Sequence, residues 1–344
     1  MLLKEYKPVS QLRTVRDARA LPSFPVIDFH SHWGRVLLGE EYETAYDTKE
    51  AVEKMRAEGI AGVVNLDGEC EGYLEKMLEK TAVCPGFFHT FGNVDVSRVD
   101  EPGFEAYVSN TLAKSKKLGI QGIKFLKNVG LVIKDVKGAY VRPDNKRLSC
   151  IWQTAAELGL PVLYHIADPI AFFDPVGPMN ERYEELCRHP DWSFCGAEFP
   201  RFTEMMEMQE RLLGNNPRTT FVIPHVGSCA EDLAYVSGLL DRFPNLYVDL
   251  AARIAELGRQ PYTAREFFLK HADRILYGHD SSPIPPFNYR ATFRFLETMD
   301  EYFDYDDYTD APQQGRWRIY GIGLPEDVLR KVYHENARKL LGGV

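Results

Sequence analysis

A chain of 344 residues, 44% hydrophobic and 26% charged, has the composition of a folded protein with a sizeable core. Its net charge of −9 argues against nucleic acid or an anionic membrane as main partner, and no apolar run approaches the length of a membrane span. The six cysteines are scattered without a Cys-x-x-Cys pair, and the N-terminus lacks the basic start and apolar run of a signal peptide. A cytoplasmic location with reduced thiols is the expectation.

The first informative stretch is residues 25–34, Pro-Val-Ile-Asp-Phe-His-Ser-His-Trp-Gly. Val26, Ile27 and Phe29 are apolar and β-prone, so a buried strand is predicted there, ending in His30 and His32. Residues two apart on a strand share a side, so both imidazoles can converge at its C-terminal end. Spacing then predicts a helix over 48–57, a strand at 62–66, a helix over 73–81 and a strand within 86–94. A helix over 104–118 stops at Gly119, and a fourth strand covers 122–126. Residues 129–136 are compatible with a small hairpin, followed by a helix over 148–158 and a strand at 161–165. A long connection, with a short extra strand at 193–197, leads to a helix over 203–213. Strands at 220–225, 246–249 and 275–278 alternate with helices over 232–242 and 265–271, and helices at 290–299 and 325–341 close the chain. Residues 300–310, acidic and aromatic together, read as a solvated loop with some rings packed on the body, a segment also compatible with a lid or a homo-oligomer contact.

Eight alternations of strand and helix, with strands too apolar to have a wet face, demand a parallel sheet covered by helices. That number favours closure into a (β/α)₈ TIM barrel: one domain over residues 1–344, with long loops and a C-terminal helical extension. The open, doubly wound alternative lacks a Gly-x-Gly-x-x-Gly after its first strand.

In a barrel all C-terminal strand ends surround one mouth, so residues distant in sequence become neighbours. His30 and His32 end the first strand, His165 the fifth and His225 the sixth; Asp280 follows the eighth and Lys124 lies in the fourth. His30, His32, His165 and Asp280 would give three nitrogens and one oxygen, a shell suited to one Zn²⁺, with Mn²⁺, Fe²⁺ or Co²⁺ allowed by ligand type. Asp280 would touch both the metal and its water as general base, and His225 would donate a hydrogen bond to the polarised substrate oxygen. Trp33, Lys124, Tyr164 and Arg253 are candidates to line the substrate pocket, Arg253 because its planar fork matches a carboxylate.

These motifs resemble the amidohydrolase superfamily, in its amidohydrolase-related branch, over nearly the whole chain. Asp28-Phe-His-Ser-His32 matches the first-strand signature, Tyr164-His165 the fifth-strand histidine and Pro224-His225-Val-Gly227 the sixth. Leu276-Tyr-Gly-His-Asp280 matches the eighth-strand aspartate, and residues 334–341 the closing helix. The branch includes aminocarboxymuconate-semialdehyde decarboxylase, γ-resorcylate decarboxylase and small lactonases. The resemblance implies a metal-dependent hydrolase opening an ester, lactone or amide of a small substrate, or a non-oxidative decarboxylase using the same metal. A barrel that binds a metabolite without turnover is the third reading. Two departures matter: His279 stands where relatives carry a small or hydroxylated residue, and either packs or binds substrate. Lys124 lies near the position of a carbamylated, metal-bridging lysine in other members, while four ligands for a single ion favour an unmodified lysine.

Overall fold

The computed structural model describes residue 5 and residues 9–14, 21–306 and 313–342. Eight strands pair in chain order, each parallel to the next: β1 (Val26–Ser31), β2 (Ile60–Glu69), β3 (Phe88–Gly92), β4 (Gly122–Phe125), β5 (Val162–Tyr164), β6 (Phe221–Ile223), β7 (Leu246–Asp249) and β8 (Ile275–Leu276). The last gap is bridged just beyond β8, where Phe29 N–H donates to Tyr277 O (2.9 Å), Asp280 N–H to His30 O (2.9 Å) and His32 N–H to Ser281 O (2.8 Å). The sheet is thus a nearly closed TIM barrel.

Alternation along each strand builds two cores. Ile27, Phe29, Val64, Leu66, Phe91, Leu163, Val222, Tyr247 and Leu276 fill the barrel interior. Their neighbours, including Val26, Val63, Ile123, Tyr164, Phe221 and Val248, face the helices. The interior is packed to contact, since a Cβ on Gly122 would lie 2.3 Å from the Phe91 ring.

The covering helices follow the apolar spacing. In α1 (Thr48–Ala57), Ala51, Val52 and Met55 are buried, and the Asp47 side chain caps the start by accepting from Glu50 N–H at 2.9 Å. The others between strands are α2 (Glu71–Thr81), α3 (Phe104–Leu118), α4 (Ser149–Glu157), α5 (Phe202–Asn215), α6 (Leu233–Arg242) and α7 (Pro261–His271), and α8 (Tyr289–Glu297) follows the last strand. A final rod, Glu326–Arg330, Lys331–Glu335 and Asn336–Leu340, contains one π turn. Its Ala337 and the following Leu341 join the interior cluster, and Asn336 Nδ2 donates to Ala272 O and Ile275 O, fixing the start of β8.

Two local expectations change. The small hairpin expected at 129–136 is shifted: after a short turn, Asn128–Leu131, Lys134 pairs antiparallel with Tyr140, with Val141 N–H donating to Ile133 O (2.8 Å) and Asp135 N–H to Ala139 O (2.8 Å). No strand forms at 193–197, where Phe194 N–H instead donates to Phe172 O (2.8 Å) across the loop. Of the segment 300–310, residues 307–310 lie outside the described residues; Phe303 pairs with Ile319, and the buried Tyr305 hydroxyl donates to Gly315 O at 2.8 Å. Among the described residues no helix is long and apolar enough to cross a membrane.

Candidate active site

β1 delivers its two histidines through an irregularity. Asp28 pairs with Val63 but Ser31 with Asn65, so β1 carries one extra residue, a bulge that re-aims the strand end. His30 and His32 therefore reach the mouth although Phe29, beside them, points into the interior. Each ring is oriented by a buried aspartate: His30 Nδ1 lies 2.9 Å from Asp249 Oδ2, and His32 Nδ1 lies 2.5 Å from Asp67 Oδ1. A carboxylate only accepts, so in the neutral rings the proton sits on Nδ1 and Nε2 keeps its lone pair. Both Nε2 atoms face the same oxygen, each 3.5 Å from Asp280 Oδ1.

Asp280 projects from the turn after β8 with a left-handed backbone (φ 67°) and is the most open of these groups, its side chain 30% exposed. Burial would raise its pKa, but His30, His32, Lys124 and His165 outweigh that and hold it below the ordinary carboxylate value. Burial drives His30 well below the usual imidazole range, with Lys124 adding to the effect. His30 Nε2 and His32 Nε2 each stand 3.5 Å from Asp280 Oδ1. Ligands held about 2.0–2.1 Å from one ion stand about 3.3–3.5 Å apart, so the donor set fits a metal. Asp67, Asp249 and Asp280 lie around the buried ammonium of Lys124.

His225 approaches from β6. Residues 225–228 form a left-handed turn, with φ of 57° at His225, 57° at Val226, 66° at Gly227 and 64° at Ser228. Left-handed backbone costs roughly 1–2 kcal/mol per non-glycine residue, and most at a β-branched one such as Val226. The turn is held by His225 N–H donating to Asp249 Oδ1 (2.9 Å) and by Gln209 Nε2 donating to Gly227 O (3.1 Å). His225 Nδ1 donates to Ala251 O (2.9 Å), which leaves an Nε2 lone pair. Burial keeps this ring neutral, its pKa well below the usual value, and His165, Arg253 and His30 add to that. A neutral His225 in this tautomer accepts a proton at Nε2 and cannot donate one to a substrate oxygen, the role expected from the sequence. Among the described residues, ligating atoms of His30, His225 and Asp280 lie within 4.8 Å of one another, a group that includes neither His32 nor His165.

His165 ends β5 with Nε2 3.2 Å from Asp168 Oδ1, while Lys127 pairs with the other Asp168 oxygen. No hydrogen bond forms across that contact, and His165 Nε2 is buried without a hydrogen-bond partner among the described residues. Its ring sits 4.4 Å from that of His225, centroid to centroid. Lys124, inward-facing on β4, is buried with no hydrogen-bond partner on Nζ. Burial brings its pKa down to about 8, against the pull of Asp280, Asp249 and Asp67. Arg253 is buried beyond β7, donates to Ala252 O (2.7 Å) and makes no ion pair among the described residues.

Two expected pocket residues lie elsewhere. Trp33 is fully buried behind the strands, edge-on to Tyr46 and Phe88, with its indole N–H donated to Ser31 Oγ at 2.8 Å. Tyr164 takes an outward position on β5, stacks on Trp152 and donates to Val129 O (3.0 Å). Both are core residues, because each follows or precedes an inward histidine and so points the other way. His279 packs on Tyr289, ring centroids 4.6 Å apart.

The residues that the sequence reading missed are the aspartates behind the histidines: Asp67, Asp168 and Asp249. Asp249 ends the apolar run Leu246-Tyr-Val, and Asp67 sits late in β2; a lone acid at the end of a buried strand is the signal that finds them.

An amidohydrolase family model, Amidohydro_2, matches residues 27–343. No curated protein matches the sequence. Among solved structures, an uncharacterized TIM-barrel protein from Bordetella bronchiseptica is 17% identical with a TM-score of 0.56, covering 93% of this chain and 99% of its own. 2,6-Dihydroxybenzoate decarboxylase from Rhizobium is 17% identical with a TM-score of 0.54, over 93% and 99%. A dihydroxybenzoic acid decarboxylase from Polaromonas, with bound manganese and 2-nitroresorcinol, is 15% identical with a TM-score of 0.56, over 93% and 97%. At such identities these likenesses speak for the barrel; the family follows from the match over nearly the whole sequence. The chain belongs to the amidohydrolase family.

Proposed function

We propose that this protein is a metal-dependent hydrolase that opens an ester, lactone or amide of a small, carboxylated molecule. The observation carrying this reading is the convergence of the Nε2 atoms of His30 and His32 on Asp280 Oδ1, each 3.5 Å away. His30, His32 and Asp280 would hold one divalent ion, with His165 completing the set. Three nitrogens and one oxygen suit Zn²⁺, with Mn²⁺, Fe²⁺ and Co²⁺ also accommodated. When bound, the metal supplies Lewis acidity and lowers the pKa of water to roughly 7. Asp280, kept ionised, and His225, kept neutral with a free Nε2, are the two groups able to take the proton of an attacking water and return it to the leaving group. Lys124 and Arg253, cations without ion-pair partners among the described residues, bind the substrate carboxylate.

The second reading is a non-oxidative decarboxylase, and Lys124 is what favours it. With a pKa of about 8 its ammonium is a competent acid at neutral pH, able to protonate the carbon that loses CO₂. The six free cysteines fit a reducing compartment, and we place the enzyme in the cytoplasm.

The test incubates protein loaded with Zn²⁺ or Mn²⁺ with a panel of lactones, esters, amides and aromatic carboxylates, following acid release and CO₂ separately. Acid release without CO₂ is expected. CO₂ evolution would replace the hydrolase by the decarboxylase, and tight binding of a panel member without turnover would replace both by a binding protein.

A further inference from the structure

Asp249 does more than close a strand. It is fully buried and both of its oxygens are engaged: Oδ2 by His30 Nδ1 (2.9 Å), Oδ1 by the backbone N–H of His225 (2.9 Å) and of Ala251 (3.0 Å). Ala251, held by that carboxylate, is the residue whose carbonyl takes the Nδ1 proton of His225 at 2.9 Å. One side chain thus sets the tautomer of His30 directly and that of His225 at one remove, through three strand ends that have no other reason to agree. Asp67 by contrast serves one ring: its Oδ1 meets His32 Nδ1 and its Oδ2 takes Gly34 N–H (2.7 Å).

We propose that Asp249 is a positioning residue that presents the Nε2 lone pairs of both His30 and His225 to the mouth, coupling the metal-binding ring to the proton-accepting one. The role rests on the metal reading above for its consequence, but not for its geometry. Two substitutions separate its two arms. In Asp249→Asn, Oδ1 still accepts both backbone N–H groups, so the amide –NH₂ must face His30 Nδ1. Two donors cannot share that contact, and flipping the amide would set –NH₂ against two backbone donors that cannot reverse. The release is for His30 to move its proton to Nε2, where Asp280 Oδ1 accepts it. Nε2 is then lost as a ligand, while His225 is untouched. Asp249→Ala removes both arms.

The tautomers are read on chelator-treated full-length protein labelled with ¹⁵N-histidine, by imidazole ¹H–¹⁵N correlation, with His30→Asn and His225→Asn spectra assigning the signals. The wild type should show His30 and His225 both protonated on Nδ1. Asp249→Asn should move only His30 to the Nε2–H form and weaken Zn²⁺ binding 10- to 100-fold in chelator competition, the usual cost of losing such a partner. Asp249→Ala should disturb both rings, and Asp67→Asn should move His32 alone. His30 protonated on Nε2 in the wild type, or still on Nδ1 in a folded Asp249→Asn, overturns the proposal. The wild-type spectrum decides even if the variants fail to fold. Tautomers behaving as stated in a wild type that binds no Zn²⁺ would sink the metal reading and leave the geometric role of Asp249 standing.

Discussion

Asp28→Asn should stabilise this protein above neutral pH, although it removes a fully buried charge that accepts hydrogen bonds from four groups. Asp28 Oδ1 accepts from the N–H groups of His30 (3.1 Å) and His279 (2.9 Å), and Oδ2 from the hydroxyls of Ser281 (2.8 Å) and Tyr289 (3.2 Å). Burial outweighs all four and raises its pKa from 3.8 to about 7. At 1.36 kcal/mol per pKa unit, that rise makes the ionised form on the order of 4 kcal/mol less favourable in the fold than in water. Between pH 3.8 and about 7 the folded protein keeps a proton that the unfolded chain has released. Its contribution to stability is therefore full below the lower value, falls as pH rises and is lost above the upper one. An asparagine escapes this loss: its oxygen keeps both backbone donors, and its –NH₂ faces two hydroxyls, each able to turn and accept. The difference in unfolding free energy, variant minus wild type, should grow from about 1 kcal/mol at pH 4.5 towards ~4 kcal/mol at pH 8. Urea unfolding of both proteins in chelator, followed by tryptophan fluorescence at several pH values, measures it. A difference that does not change with pH would refute the argument, as would one that shrinks.

The other predictions are shorter. His225→Asn should keep metal stoichiometry and lower kcat by about 10²–10⁴, the range for one proton-transfer group; asparagine tolerates the left-handed backbone, so the turn survives, and loss of metal would make His225 a ligand. With Lys124 near pH 8 and needed as ammonium, kcat/KM of the wild type should fall as pH rises through about 8. Lys124→Met should lose that limb and raise KM for carboxylated substrates; an unchanged profile would remove Lys124 from the site. Tyr164→Phe should cost about 1 kcal/mol of stability by unpairing Val129 O, with kcat unchanged; a drop in turnover would return Tyr164 to the pocket.

Alternation and apolar runs made the barrel legible, because a period of two over eight short segments leaves few other folds. They also placed His30, His32, His165, His225 and Asp280 at one mouth, since strand ends need only topology to meet. Legibility stopped where direction mattered. Tyr164 was misplaced because a strand end turns adjacent residues to opposite faces, and chemistry alone assigned both Tyr164 and His165 to the pocket. The role of His225 is hard to read for a related reason: it depends on the proton's address, which Ala251 O, just beyond β7, decides. Least visible were the aspartates. Nothing in the neighbourhood of Asp249 in sequence announces that it touches His30, 219 residues away, or that the same carboxylate steadies the turn of His225. Asp28 and Asp249 show why residue type is not enough even afterwards. Both are buried and both accept from backbone N–H groups, yet the same asparagine should relieve one and disable the other. The hydroxyls facing Asp28 can reverse a hydrogen bond; the imidazole facing Asp249 can reverse only by giving up the nitrogen it presents to the mouth.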